Sequence, residues 1–279
     1  MIERFAKLPR ALEEQTKFLR LGPKRVPALL ASPNWDEPAP VVLWMHGRTV
    51  DKTLDPGRYL RWIRNGVAAC AVDLPGHGER LDDAMHSPSK TLFVVEQMIE
   101  EIDSIVEALS EPAFEGAFDL DRIGIGGMSA GGMATLRRLC EPHGFRCAAV
   151  ESTIGDFSVM PYAEYFPKEL IERLDPIRHL DGWTPTPLLA LHSEKDEWAP
   201  VEGMRRFMKQ VRQRYDGKGA RTGETPEPPS AVQFVTWPET GAPNEHAGFG
   251  RVANDAKNLQ TDFFVKWLIT PSQGEKPTL

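Results

Sequence analysis

Six short apolar runs, at Val41 to His46, Val67 to Asp73, Arg122 to Met128, Ala148 to Ser152, Pro187 to His192 and Val232 to Trp237, are separated by longer stretches of helical spacing. This alternation leaves few folds open. Strands that are apolar throughout are buried on both faces, so the pattern predicts an α/β protein with a mostly parallel sheet and helices on either side. The clearest helix is Thr91 to Leu109, where Leu92, Val95, Met98, Ile99, Ile102, Val106 and Leu109 recur at three- and four-residue steps and Glu96, Glu100 and Asp103 take the other face. Further helices are predicted near Pro56 to Asn65, Ala130 to Cys140, Pro200 to Arg214 and Asn254 to Ile269, the one from Pro200 with Pro in its first turn.

Ahead of the first strong strand, Lys17 to Ser32 holds two apolar patches broken at Leu21, Gly22 and Pro23, which suits a hairpin on the sheet's edge. Residues 155–185 interrupt the alternation with Phe157, Met160, Tyr162, Tyr165, Phe166 and Trp183, and are expected to form a short cap. The Gly-, Pro-, Thr- and Glu-rich segment Asp216 to Ser230 reads as an exposed loop within one body, not a linker. A chain of 279 residues with no internal repeat is therefore expected to be one domain over 1–279.

The chain is 41% hydrophobic and 26% charged, enough to build a large core without metals or crosslinks. A net charge of -7, with no run of Lys or Arg, speaks against nucleic acid as a partner. Cys70, Cys140 and Cys147 are odd in number and lie in or beside apolar segments, which suits reduced buried thiols. Met1 to Arg20 lacks the unbroken apolar stretch of a signal peptide, and no run approaches the roughly 20 residues of a spanning helix. No membrane association is expected, and the cytoplasm is the expected compartment. The oligomeric state is not legible.

Gly127-Met128-Ser129-Ala130-Gly131 follows a predicted strand and opens a predicted helix, the context in which a G-x-S-x-G turn exposes a nucleophilic serine. Composition alone would give about 0.07 such patterns in the chain. A sharp strand-to-helix turn leaves no room for Cβ atoms beside the serine, hence the glycines. The competing reading is a Gly-rich turn that binds a phosphate or nothing. If the turn is catalytic, the helix start places the Ala130 N–H where it can bond a tetrahedral oxyanion.

A serine hydroxyl needs a base, and the base needs a carboxylate to hold its tautomer. His246 is the histidine that lies after the later strands, in the loop-like Asn244-Glu245-His246-Ala247-Gly248-Phe249. An acid should lie just after the Pro187 to His192 strand, where Glu194, Asp196 and Glu197 compete. A second oxyanion donor should come from the His46-Gly47-Arg48 turn, through the Arg48 N–H. The Arg48 side chain reads as an outward surface arginine, with steering of a substrate anion as the other reading. His46 reads as a support for its turn. Met128, Tyr162, Tyr165, Phe166 and Trp198 are candidate walls of an acyl pocket, or ordinary core. No His and carboxylate cluster has metal-ligand spacing and no dinucleotide fingerprint is present, so neither a metal nor an organic cofactor is expected.

At Leu43-Trp44-Met45-His46-Gly47, Asp73-Leu74-Pro75-Gly76-His77-Gly78, Asp121-Arg122-Ile123-Gly124 and Leu191-His192 through Asp196 to Pro200, the chain resembles the α/β-hydrolase superfamily. Within it, the likeness is to the branch of dienelactone-hydrolase-like esterases and prolyl-oligopeptidase-like catalytic domains. The resemblance covers most of Val41 to Leu268. It implies Asp196 as the acid, with Glu194 and Glu197 as solvated loop charges, and His246 as the base. Ser193 stands where such families have glycine, Ala199 where they have valine, and Glu245-His246-Ala247-Gly248-Phe249 is an imperfect copy of their histidine segment. Dienelactone hydrolases proper use cysteine where Ser129 stands, so their substrate does not transfer. A β-propeller like that of the prolyl oligopeptidases has no room before Val41. The expected function is a carboxylesterase-like serine hydrolase acting on a small-molecule acyl substrate. A small peptidase or amidase, a thioesterase, and an inactive hydrolase-fold binding protein are the alternatives.

Overall fold

In the computed structural model, residues 8–114, 116–215 and 231–269 are described. The predicted loop from Asp216 to Ser230 lies outside them. The chain opens on a short helix, α1 (Arg10–Glu13), followed by the hairpin β1 (Thr16–Leu21) and β2 (Val26–Ala31). Then come β3 (Ala39–Met45), α2 (Pro56–Arg64), β4 (Ala68–Val72), α3 (Thr91–Ala108), β5 (Phe118–Met128), α4 (Ala130–Arg138) and β6 (Cys147–Glu151). After them lie α5 (Lys168–Leu174), β7 (Leu188–Ser193), α6 (Val201–Tyr215), β8 (Val232–Trp237) and α7 (Ala253–Leu268).

The strands form one eight-stranded sheet in the order β1-β2-β4-β3-β5-β6-β7-β8. Strands β3 to β8 are parallel, while β1 and β2 run antiparallel to each other and β2 antiparallel to β4. The hairpin therefore sits at an edge, where a short loop is allowed to reverse the chain; the parallel strands need helical crossovers. Each predicted strand and helix forms within a few residues of its expected ends. The scatter has a physical origin, since the ends lack the tertiary contacts that fix the middles.

Strand alternation divides the core in two. Val41, Leu43 and Met45 of β3, with Ala68, Cys70 and Val72 of β4, face the layer built by α3, α4 and α6. Their neighbours Val42, Trp44, Ala69 and Ala71 face the opposite layer, where Tyr59 and Trp62 of α2 meet Phe263, Phe264 and Leu268 of α7. Because side chains on a strand point to alternate faces, one apolar run serves both layers. All three cysteines are free and buried, and burial raises each thiol pKa, Cys140 to about 12. Among the described residues no helix is long and apolar enough to cross a membrane.

Residues 155–185 form short helical turns and α5, not a detached layer. Phe157, Met160, Phe166, Leu170, Leu174, Leu180 and Trp183 all enter the main core. Arg173 of α5 also pairs with Glu96 of α3.

Candidate active site

The centre of the sheet places its carboxyl ends together, and β5 runs directly into α4 there. Ser129 is the single residue between them, with φ 51° and ψ -115°. This is a strained conformation for a side chain with a Cβ, so the surroundings must hold it. They do so from both sides: the Ser129 N–H donates to the Glu151 carbonyl at 2.9 Å, and Thr153 Oγ1 donates to the Ser129 carbonyl at 2.8 Å. The glycines are required by contact. A Cβ on Gly131 would lie 2.3 Å from the Met45 carbonyl oxygen, and one on Gly127 would lie 2.5 Å from the Gly131 carbonyl carbon.

Beneath the elbow is a buried ion pair. Arg58 of α2 donates to both oxygens of Glu151, at 2.7 and 2.8 Å, and to Gln260 of α7, while Gln260 Nε2 donates to Glu151 Oε1 at 2.9 Å. Arg58 also stacks on the Trp44 ring, 4.4 Å from its centroid. Burial disfavours the Arg58 charge, but Glu151 and Asp55 outweigh it and raise its pKa.

The loops after β7 and β8 bring the other two groups. His246 Nε2 lies 2.9 Å from Ser129 Oγ, and its Nδ1 lies 2.9 and 3.0 Å from the two oxygens of Asp196. The carboxylate accepts, so Nδ1 carries the proton and Nε2 accepts from the serine hydroxyl. Asp196 Oδ1 also accepts the N–H groups of Trp198 at 2.9 Å and Ala199 at 2.7 Å. His192 donates through Nε2 to the Ala199 carbonyl at 2.7 Å, pinning the same loop. Three carboxylates competed in the sequence; Asp196 alone reaches His246. Glu194 pairs with Arg205, and Glu197 is exposed and accepts from Asn244 Nδ2 at 2.9 Å.

Glu245, next to His246, is a residue that sequence reasoning passed over. Its carboxylate accepts from Ser193 Oγ at 2.6 Å, from Thr240 N–H at 2.6 Å and Oγ1 at 2.8 Å, and from Gly241 N–H at 2.7 Å. Burial pushes its pKa up, but these donors prevail and hold it at about 2. The clamp secures a loop in which Asn244 and Glu245 both have positive φ, 52° and 51°. It also gives Ser193 a partner: the hydroxyl that stands in place of glycine donates to Glu245.

On the opposite side, the turn after β3 passes close to Ser129. A Cβ on Gly47 would lie 3.4 Å from that of Ser129. His46 is buried; its Nε2 accepts the Leu74 N–H at 3.0 Å and its Nδ1–H donates to the Gly47 carbonyl at 2.6 Å. Burial lowers its pKa to about 4, which keeps it neutral. Lys52 is tied to Asp73 at 2.8 Å and Glu79 at 2.6 Å, and Asp73 also accepts the Lys52 and Glu79 N–H groups at 2.9 Å. Arg48 is not the outward surface arginine expected. It is half-buried, and its Nη1 donates to the His86 carbonyl at 2.7 Å. The cause is the segment after β4, which folds back beside the turn and offers that carbonyl.

Of the remaining candidates, Ala130 is buried and is the first residue of α4, so its N–H has no acceptor within the helix. Met128 is half-buried, with Sδ 3.7 Å from where a Gly47 Cβ would stand. Trp198 is 44% exposed, its ring 5.2 Å from the His246 ring between centroids. Tyr162 donates to the Trp198 carbonyl at 2.6 Å, Tyr165 stacks on Tyr162 and is exposed, and Phe166 is buried in the core.

The model of the prolyl oligopeptidase family matches residues 62–224, more than half of the chain. No curated protein matches the chain in sequence. Among solved structures, TT1662 from Thermus thermophilus aligns with a TM-score of 0.67 at 19% identity, over 92% of this chain and 99% of its own. A puromycin-hydrolyzing peptidase of Mycobacterium tuberculosis aligns at 0.67 with 20% identity, over 94% of this chain and 41% of its own. The acylaminoacyl peptidase of Pyrococcus horikoshii aligns at 0.68 with 18% identity, over 94% and 43%. The chain thus spans less than half the length of the two peptidases. At these identities the likeness is one of fold.

Proposed function

Since the chain belongs to the prolyl oligopeptidase family of the α/β-hydrolase superfamily, we propose that this serine hydrolase cleaves an acyl bond of a small substrate through Ser129, His246 and Asp196. One observation carries the reading: the unbroken line of hydrogen bonds from Ser129 Oγ through His246 to Asp196. Ser129 Oγ attacks the carbonyl carbon as its proton passes to His246 Nε2. Asp196 stabilises the imidazolium and holds its orientation. The N–H groups of Ala130 and Arg48 receive the oxyanion. His246 returns the proton to the leaving group, and water then attacks the acyl-Ser129 and releases the acid. Water is the one co-reactant these steps need.

The peptide or amide reading takes support from the family and from neighbours described as peptidases. The ester expected from the sequence is attacked by the same three groups, with an easier leaving group. Residues 155–185 serve as a short, core-anchored cap on one body, with Tyr162 and Trp198 at the site's rim. The cytoplasm is the compartment proposed, since three free buried thiols suit reducing conditions.

A fluorophosphonate probe is expected to label Ser129 and to lose its target in Ser129→Ala. Relative kcat/KM on a peptide amide, a thioester and an ester of one acyl group then assigns the bond. Folded wild-type protein that resists the probe would favour a binding role instead.

A further inference from the structure

Among the described residues, the buried Lys and Arg side chains are paired with acids. Lys52 has Asp73, Arg58 has Glu151 and Arg138 has Asp103, each within 2.8 Å. Arg48 is different. It is half-buried at the site, yet among the described residues its guanidinium meets only the His86 carbonyl. Its charge acts on the Tyr162 phenol and on His77. Neither supplies a counter-charge: burial raises the Tyr162 pKa to about 12 and lowers that of His77, so both are neutral near pH 7. Asp196, the acid whose charge also reaches Tyr162, is committed to His246. A guanidinium removed from water without a carboxylate is costly to keep, and its planar donor fork suits a carboxylate that arrives with a ligand.

Its position gives that ligand a role. Gly47, the preceding residue, packs against Ser129, while Tyr162 reaches Trp198, whose ring lies over His246. Arg48 and Tyr162 thus flank the Ser129–His246 pair. We propose that the Arg48 guanidinium is a subsite for a carboxylate on the substrate, so that the bond cleaved at Ser129 belongs to a molecule carrying a free acid group. This rests on the hydrolase reading above. Two sources share the chemistry: the C-terminal carboxylate of a short peptide, and the free acid of a dicarboxylic half-ester.

The test compares each acid with its own neutral counterpart. One arm uses the p-nitrophenyl half-ester of glutaric acid and its methyl diester; the other uses a dipeptide with a free C-terminus and the same dipeptide amidated. Wild type is expected to favour the acid by about 10- to 100-fold in kcat/KM, the range of a charge-assisted pair, in whichever arm holds the natural source. Arg48→Gln should bring that ratio near one, and Arg48→Lys should keep part of it. The ratio is taken within each variant, so a general loss of turnover cancels. For wild type alone, raising salt should slow the acid and not the neutral substrate, which decides the matter if Arg48→Gln does not fold. A ratio of one in both arms, or a preference that survives Arg48→Gln, overturns the proposal. If Ser129 resists the fluorophosphonate, the hydrolase reading falls separately. The subsite is then read by calorimetry, as tighter binding of the intact acid than of its neutral counterpart to wild type.

Discussion

The two sides of the site are built by different means. On the Ser129 side, positioning is done by main chain: the β5 and α4 ends, the Glu151 carbonyl, and glycines that clear a path for the β3 backbone. On the His246 side the positioning is done by side chains far apart in sequence, with Glu245 gripping Ser193 and Thr240, and Asn244 bridging to Glu197. Main-chain positioning leaves a local motif. Side-chain positioning leaves only scattered residues, which is why one half of the site is easy to see and the other must be assembled.

The largest test of this contrast removes the reacting groups. Ser129→Ala and His246→Ala should each lower kcat by about 10⁶-fold, a scale set by groups that act as a unit, measured with an activated ester. Residual activity near wild type in either would dissolve the pairing of the two sides. Asp196→Asn should cost about 10⁴-fold by disturbing the histidine's tautomer, while Glu194→Gln and Glu197→Gln should change kcat by no more than about 3-fold. Loss at Glu194 instead would move the acid.

Gly131→Ala attacks the main-chain side. The new methyl meets the Met45 carbonyl, with a cost of about 3 kcal/mol or more in denaturant unfolding; a neutral result would show that the elbow has room to give. The side-chain arm is tested last and most gently. Glu245→Gln should reduce kcat by about 10-fold and leave the fold intact. Glu245 has a pKa lowered from 4.5 to about 2, so its stabilising effect is full above about pH 4.5 and fades as pH falls toward 2. The melting-temperature gap between wild type and Glu245→Gln should close over that same window. A gap independent of pH would mean that the charge of Glu245 is not what braces the loop.

Much of this was legible from residues alone. Strands buried on both faces could be placed because their apolar runs have no competing pattern, and the hairpin because Gly22 breaks it. Ser129 announced itself through glycines that backbone contact enforces. Asp196 was less visible, since nothing local separates it from Glu194 and Glu197; the choice depends on which carboxylate the Trp198 and Ala199 N–H groups turn toward His246. The Arg48 side chain was misread because its carbonyl partner, His86, comes from a segment 38 residues away. For residues 155–185 the aromatics fitted a short cap or ordinary core equally, because aromatic content alone does not reveal that Phe157, Phe166 and Trp183 reach the common core.

The ion pair under the elbow has a temporal meaning. Glu151 and Arg58 are fully held only when Gln260 has arrived, and Gln260 follows Ser129 by more than a hundred residues. During synthesis Ser129 therefore emerges long before the last partner of the ion pair beneath its turn.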